Sequence, residues 1–382
     1  MSTGPAGGMT DGGRTPATAG TTTAGATAAA AASSAASGDA GLGPLLDAAV
    51  ARVRAPDVVV AVSRAGRRTV AAGGTGAARR PPREESGFAL GSLTKTFTVL
   101  LLADLARAGV LALDDPLAAH LPGLPPVSGA ARRITLRHLA THTSGLPRIP
   151  RDLLAGAVLH PRTNGYTGYR PERLLAAFAD TRLRHAPGSR RRYSNFGVAL
   201  LGQALEGAAG AALPDLLTRR VLRPLGLAAT GLGAGPAAAA TGHRGDGRTP
   251  LPATGMGAFA AAGGLVSAPG DVLTYAEAHL RPDRAGPLEP ALREVLLPQL
   301  RGGFGHRRET YTLTWYEHAA AGGPLLFHAG ATFGQQCFLG FHPATGTAVA
   351  AFATRHDRTC AVVGSGYALL RELAGHPAAD AR

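Results

Sequence analysis

Ser92 and Lys95 stand three residues apart in the stretch GSLTK, residues 91–95. Lys95 is the only lysine in the chain; the other 38 of its 39 basic side chains are arginine. Side chains at i and i+3 of a helix share a face and can touch. A serine hydroxyl attacks a carbonyl well only when a neighbouring base takes its proton. An amine serves once burial or nearby positive potential brings its pKa down from about 10.4 towards neutrality. A helix start supplies such potential through its unpaired N–H groups. Arginine keeps its proton in proteins and cannot do this. A chain that uses arginine wherever a cation suffices thus has a chemical reason for lysine here: Lys95 as base to a Ser92 nucleophile.

Two further stretches offer side chains to the same chemistry. In RRYSNFGVALLG, residues 191–202, Tyr193 and Asn195 lie two apart ahead of an apolar helical pattern. In extended backbone such a pair faces one way. Tyr193 would carry a proton to a leaving group and Asn195 would hold a substrate amide. Taken alone, the pair reads more readily as a core aromatic followed by a helix-capping Asn. In FHAGATFG, residues 327–334, a β-like run carries His328, Gly330 and Ala331. Gly330 would let the backbone approach a ligand closely. His328 would polarise the site or contact substrate. The N–H groups of Ser92 and Ala331 would together receive a developing oxyanion.

Positioning these residues takes a helix from Ser92 to about Ala108, with Phe97, Leu100, Leu101 and Leu105 buried and Gly109 as its stop. Before it, 41–53 has helical spacing, and DVVVAVSRAGRRTVAAGG, 57–74, reads as two strands joined by a turn at Ala65 and Gly66. After it, roughly 119–255 alternates helical pieces with Pro/Gly-rich loops. The last third holds four β-like runs, TLTWYEH, PLLFHAGA, QQCFLGFHP and GTAVAAFATR, which suggest an antiparallel meander before a closing helix near 361–373. The pattern implies an α+β fold: an antiparallel sheet flanked by terminal helices, built from 41–118 and 256–382, with an inserted all-α lobe over 119–255. The Ala/Gly/Thr/Ser-rich residues 1–40 cannot bury enough surface to order and read as a disordered tail.

In this order, the three segments resemble the active-site signature of the serine β-lactamase and penicillin-binding-protein superfamily, most nearly its class C β-lactamase, esterase and D-aminopeptidase branch. Ser92-Leu93-Thr94-Lys95 falls on S-x-x-K, Tyr193-Ser194-Asn195 on Y-x-N, and His328-Ala329-Gly330 on the K-T-G or H-x-G element. Supporting stretches are ITLRHLATHTSGLP, LRPLGLAATGL and AAGGLVSAPGDVLTYA, and the resemblance covers about residues 41–375. It implies a β-lactamase-like fold and an acyl-enzyme on Ser92, with Lys95 and Tyr193 handling protons and the immediate base left open between them. No metal or other cofactor is implied. His328 stands where lysine usually meets a substrate carboxylate. That favours a serine acyl hydrolase of small esters or amides (an esterase, or a D-amino-acid amidase or peptidase) over a β-lactamase or DD-carboxypeptidase, unless one of the arginines compensates. The other readings are an acyl transferase or peptide cyclase releasing carrier-bound peptides, and a non-catalytic binding protein of the same fold.

Bulk composition bounds the partners. At 45% hydrophobic and 17% charged residues, the chain can bury a large core. Its net charge of +14 comes from arginines spread along the whole length with few aromatics, which argues against a nucleic-acid function. Asn and Ile at two positions each point to GC-rich coding as the source of the arginines. The partners expected are a small-molecule or peptide acyl substrate and, given the basic surface, an acidic carrier protein. No membrane span and no convincing export signal is legible, so the chain leans cytoplasmic. Cys337 and Cys360 match no zinc or redox spacing.

Overall fold

Strand β1 (Val58–Arg64) turns into β2 (Arg67–Gly73) through Ala65 and Gly66, both at positive φ, the backbone that a two-residue hairpin demands. The computed structural model describes residues 41–78, 80–127, 129–154, 164–233, 235, 237–302 and 309–375; the expected tail over 1–40 lies outside them. The remaining strands are β3 (Phe88–Ala89), β4 (Thr230–Leu232), β5 (Gly242–His243), β6 (Pro250–Leu251), β7 (Leu265–Ser267), β8 (Leu300–Gly302), β9 (Glu309–Tyr311), β10 (Tyr316–Ala320), β11 (Gly323–Ala331), β12 (Gln336–His342) and β13 (Thr347–Ala353). The helices are α1 (Leu42–Ala51), α2 (Thr94–Arg107), α3 (Leu136–Ala140), α4 (Pro171–Ala179), α5 (Asn195–Ala209), α6 (Leu213–Leu217), α7 (Ala260–Gly263), α8 (Pro269–Leu280), α9 (Glu289–Glu294) and α10 (Val362–Leu373).

The eight-stranded sheet runs β2-β1-β13-β12-β11-β10-β9-β8 and is antiparallel throughout. The last strand of the meander thus pairs with the first strand of the chain, from Val58↔Ala353 to Arg64↔Thr347. β1 and β13 are buried on both faces, as their runs VVVAV and TAVAAFA require. Alternate residues of β12 address two helical layers. Phe338 meets Gly366 of α10, where an added Cβ would lie 2.6 Å from the ring, and Phe341 meets His279 of α8.

Helix α2 is buried on almost every side, including the expected Phe97, Leu100, Leu101 and Leu105. Its threonines are buried too, and two reach carbonyl oxygens: Thr96 Oγ1 bonds Leu93 and Thr98 Oγ1 bonds Ala261.

Two expectations change. The run TLTWYEH is not one strand. Thr312–Trp315 forms a tight turn between β9 and β10, because the Thr312 hydroxyl accepts the N–H of Trp315 at 2.9 Å. The stretch 119–255, expected to be helical, also contributes short strands. Of these, β4 joins β3 through β7 in a three-stranded sheet, and β5 pairs with β6.

Candidate active site

Two glycines press the start of α2 against the end of β11. An added Cβ on Gly330 would lie 1.9 Å from the Leu90 carbonyl oxygen, and one on Gly91 would lie 2.4 Å from that of Ala331. Gly91 also adopts φ 48°, a conformation open to glycine at little cost. The backbone that Gly330 admits here is the protein's own Leu90 carbonyl. This packing sets Ser92 beside Ala331. Thr332 N–H bonds Gln335 O at 2.9 Å, closing the hairpin, while Ala331 pairs with Gln336. By the alternation of an antiparallel ladder, the N–H of Ala331 then points away from β12.

Ser92 Oγ sits between two proton-bearing groups. Lys95 Nζ lies 3.1 Å away and Tyr193 donates its O–H at 2.7 Å. Lys95 is 2% exposed. Its amine also donates to the Ala262 carbonyl at 2.5 Å; once neutral, its lone pair would accept the Ser92 proton. Burial, helped by the positive charge of Arg148, holds the Lys95 amine well below the usual lysine range. Burial pushes the Tyr193 phenol up, against the opposing pull of Ser92, Arg148 and Arg191, so it keeps its proton.

Asn195 is the first residue of α5, and Ser194, not Asn195, caps that helix, its hydroxyl accepting the N–H of Gly197 at 2.9 Å. The Asn195 amide is thereby released to the cavity beside Ser92. Its Nδ2 donates to Tyr166 OH at 3.2 Å, and its Oδ1 is buried without a partner among the described residues. The cavity holds about 360 Å³ and is lined by Ser92, Arg148, Tyr166, Asn195, Met256, Ala331, Phe333 and His356, among others, with no carboxylate among the described residues. A larger groove of about 550 Å³ around Arg151, Arg182 and Arg192 does not reach Ser92.

His328 is not among the residues that line this cavity. It is 3% exposed, with Nδ1 donating to the Ala329 carbonyl and its ring against Tyr316. Burial, with the nearby Lys95, brings it down to about 3, so it is a neutral ring behind the site. The sequence reading missed Arg148, Tyr166, Phe333 and His356. Nothing marks Arg148 among the chain's arginines except that it directly follows HTSGLP. Cys337 and Cys360 are both buried and unbonded.

That HTSGLP segment cradles the strand-like stretch carrying Tyr193. Thr143 O accepts Gly188 N, His142 O accepts Arg192 N, and Arg148 O accepts Phe196 N. Ser194 N–H bonds His142 Nδ1, and the Ser194 hydroxyl donates to Pro147 O at 2.6 Å. His142 holds φ 60°, which costs a non-glycine residue about 1–2 kcal/mol.

Comparison with known proteins places the chain among its relatives. The family model Beta-lactamase matches residues 44–370. The D-alanyl-D-alanine-carboxypeptidase/endopeptidase AmpH of Escherichia coli K12 is 32% identical over 205 residues, 53% of this chain and 51% of AmpH. Esterase EstB of Burkholderia gladioli is 35% identical over 158 residues, 39% of each chain. The match thus spans about half of AmpH and less of EstB. A class C β-lactamase from Rhodobacter sphaeroides superposes with a TM-score of 0.69 at 22% identity, covering 87% of this chain and 98% of that one, a likeness of fold. Among the described residues, no single helix is long and apolar enough to cross a membrane.

Proposed function

The chain belongs to the Beta-lactamase family, a family of serine hydrolases, and from that premise we propose that it hydrolyses small esters or amides through an acyl-enzyme on Ser92. Ser92 Oγ attacks the substrate carbonyl while its proton passes to the Lys95 amine. The N–H groups of Ser92 and Ala331 receive the oxyanion. As the bond to the leaving group breaks, Tyr193 gives that group its proton, and the Lys95 ammonium passes to the tyrosinate the proton taken from Ser92. Water then attacks the acyl carbon, with Lys95 taking its proton and returning it to Ser92 Oγ as the acyl–oxygen bond breaks, and the free acid departs. Lys95 takes the role of base because its amine is lowered while the Tyr193 phenol is raised.

One observation carries this reading: a buried amine and a half-buried phenol both within hydrogen-bond reach of one serine oxygen. The relatives named for ester and D-peptide cleavage support the substrate class. The cavity's cation, Arg148, stands at its mouth over the Tyr193 ring, where an acidic substituent of the substrate would meet it.

The test is intact-protein mass after exposure to a fluorophosphonate and to a p-nitrophenyl ester. A single adduct on Ser92, lost in Ser92→Ala and Lys95→Arg, is expected; no adduct on the parent protein overturns the proposal. Product analysis then reads free acid for hydrolysis, or a transferred or cyclised acyl group for transfer.

A further inference from the structure

We propose that His142 is a positioning residue for Tyr193, holding the backbone on both sides of the tyrosine and backing its ring so that the phenol meets Ser92. This rests on the acyl-enzyme reading above. Three contacts converge. The carbonyl of His142 accepts the N–H of Arg192 at 2.7 Å, the residue before Tyr193. Its Nδ1 accepts the N–H of Ser194 at 3.3 Å, the residue after. Its ring lies 4.5 Å from the Tyr193 ring, centroid to centroid. Ser194 is in extended backbone, where N–H groups two apart project to one side, so a single residue can take both.

Residue type and conformation both fit this role. His142 is one of three non-glycine residues at positive φ among the described residues, and it is buried. Asn or Gly would sit there with less strain, but Gly lacks the acceptor and the ring. An acceptor at Nδ1 requires a neutral imidazole with its proton on Nε2. Burial, with the positive charge of Arg191, keeps the ring neutral by holding it well below the usual histidine range.

Variants separate positioning from mere folding. Rapid-mixing acylation with a p-nitrophenyl ester, measured to saturation, gives a maximal rate and a half-saturation concentration. His142→Gly relieves the backbone and removes ring and acceptor. It is expected to lower the maximal rate about 10- to 100-fold, with half-saturation within about twofold. His142→Asn places Oδ1 where Nδ1 was and tolerates the same φ; it is expected to return to within about threefold of the parent. In a Tyr193→Phe background His142→Gly should cost less than about twofold, since the hydroxyl it aims is gone. Parent-like acylation by His142→Gly, an equal loss in both backgrounds, or no recovery with Asn overturns the inference. Should the glycine variant not fold, ¹⁵N NMR of the parent still decides: an unprotonated His142 Nδ1 supports the role and a protonated one overturns it. If the parent takes no acyl group at all, the acyl-enzyme reading falls, and the NMR result decides separately whether His142 holds the segment.

Discussion

The two walls of the site are held by different forces. On one, the start of α2 meets the end of β11 through two glycines at sub-van der Waals spacing for any side chain, with the buried Lys95 behind. On the other, residues 142–148 grip 188–196 mainly through directed backbone hydrogen bonds, while Arg148 and Arg192 face solvent. Excluded volume fixes the first wall and hydrogen-bond direction fixes the second. Damage to the first should therefore appear as lost folding, and damage to the second as lost chemistry in a folded protein.

The largest test of that contrast is Gly330→Val. Its Cβ would meet a backbone oxygen at 1.9 Å, so overpacking should destabilise by about 3 kcal/mol or more; thermal unfolding that stays at the parent midpoint would break the comparison. Lys95→Met should separate the two effects on one wall. It keeps the apolar stem, removes a buried amine, and should lose about 10³-fold in acylation with no fall in unfolding temperature.

Proton linkage gives a medium-sized test, and its sign follows from the directions above. The unfolded lysine, at about 10.4, binds a proton more tightly than folded Lys95, so the parent should gain stability as pH rises towards that value. Lys95→Met should lack this slope. The acylation rate of the parent should fall as acid protonates the amine. His279, brought down to about 4 by burial, is neutral in the fold and charged when unfolded below about 6.5. Stability should then fall as pH drops from about 6.5 towards 4, and His279→Leu should flatten that decline by up to about 1.4 kcal/mol per pH unit in chemical denaturation. The smallest effect is expected at the rim. Phe333 is 45% exposed and lines the cavity mouth, so Phe333→Ala should raise KM about threefold or less and leave kcat unchanged.

How far the sequence foretold this site depends on the range of each interaction. Ser92 and Lys95 were legible because helical spacing is local and a lone lysine stands out against 38 arginines. The strands of the meander were legible from their apolar runs, apart from the turn at Thr312–Trp315, where a threonine hydroxyl overrides a β-like composition. Gly330 announced a close approach without saying to what, because the Leu90 carbonyl arrives from a segment 240 residues away. Asn195 stood beside a better cap, Ser194, and only coordinates show which residue turned into the cavity. His142 gave no signal, since nothing in a histidine's identity marks a left-handed backbone. Tyr166 and His356 reach the cavity from loops whose paths depend on the whole fold.

The solitary side-chain amine also makes the protein a reporter on itself. Reductive methylation or an N-hydroxysuccinimide ester finds no lysine on the surface, and the single ε-amino group it can modify is 2% exposed. Label incorporated at Lys95 therefore counts the molecules whose centre has opened, and its rate measures how often that opening occurs.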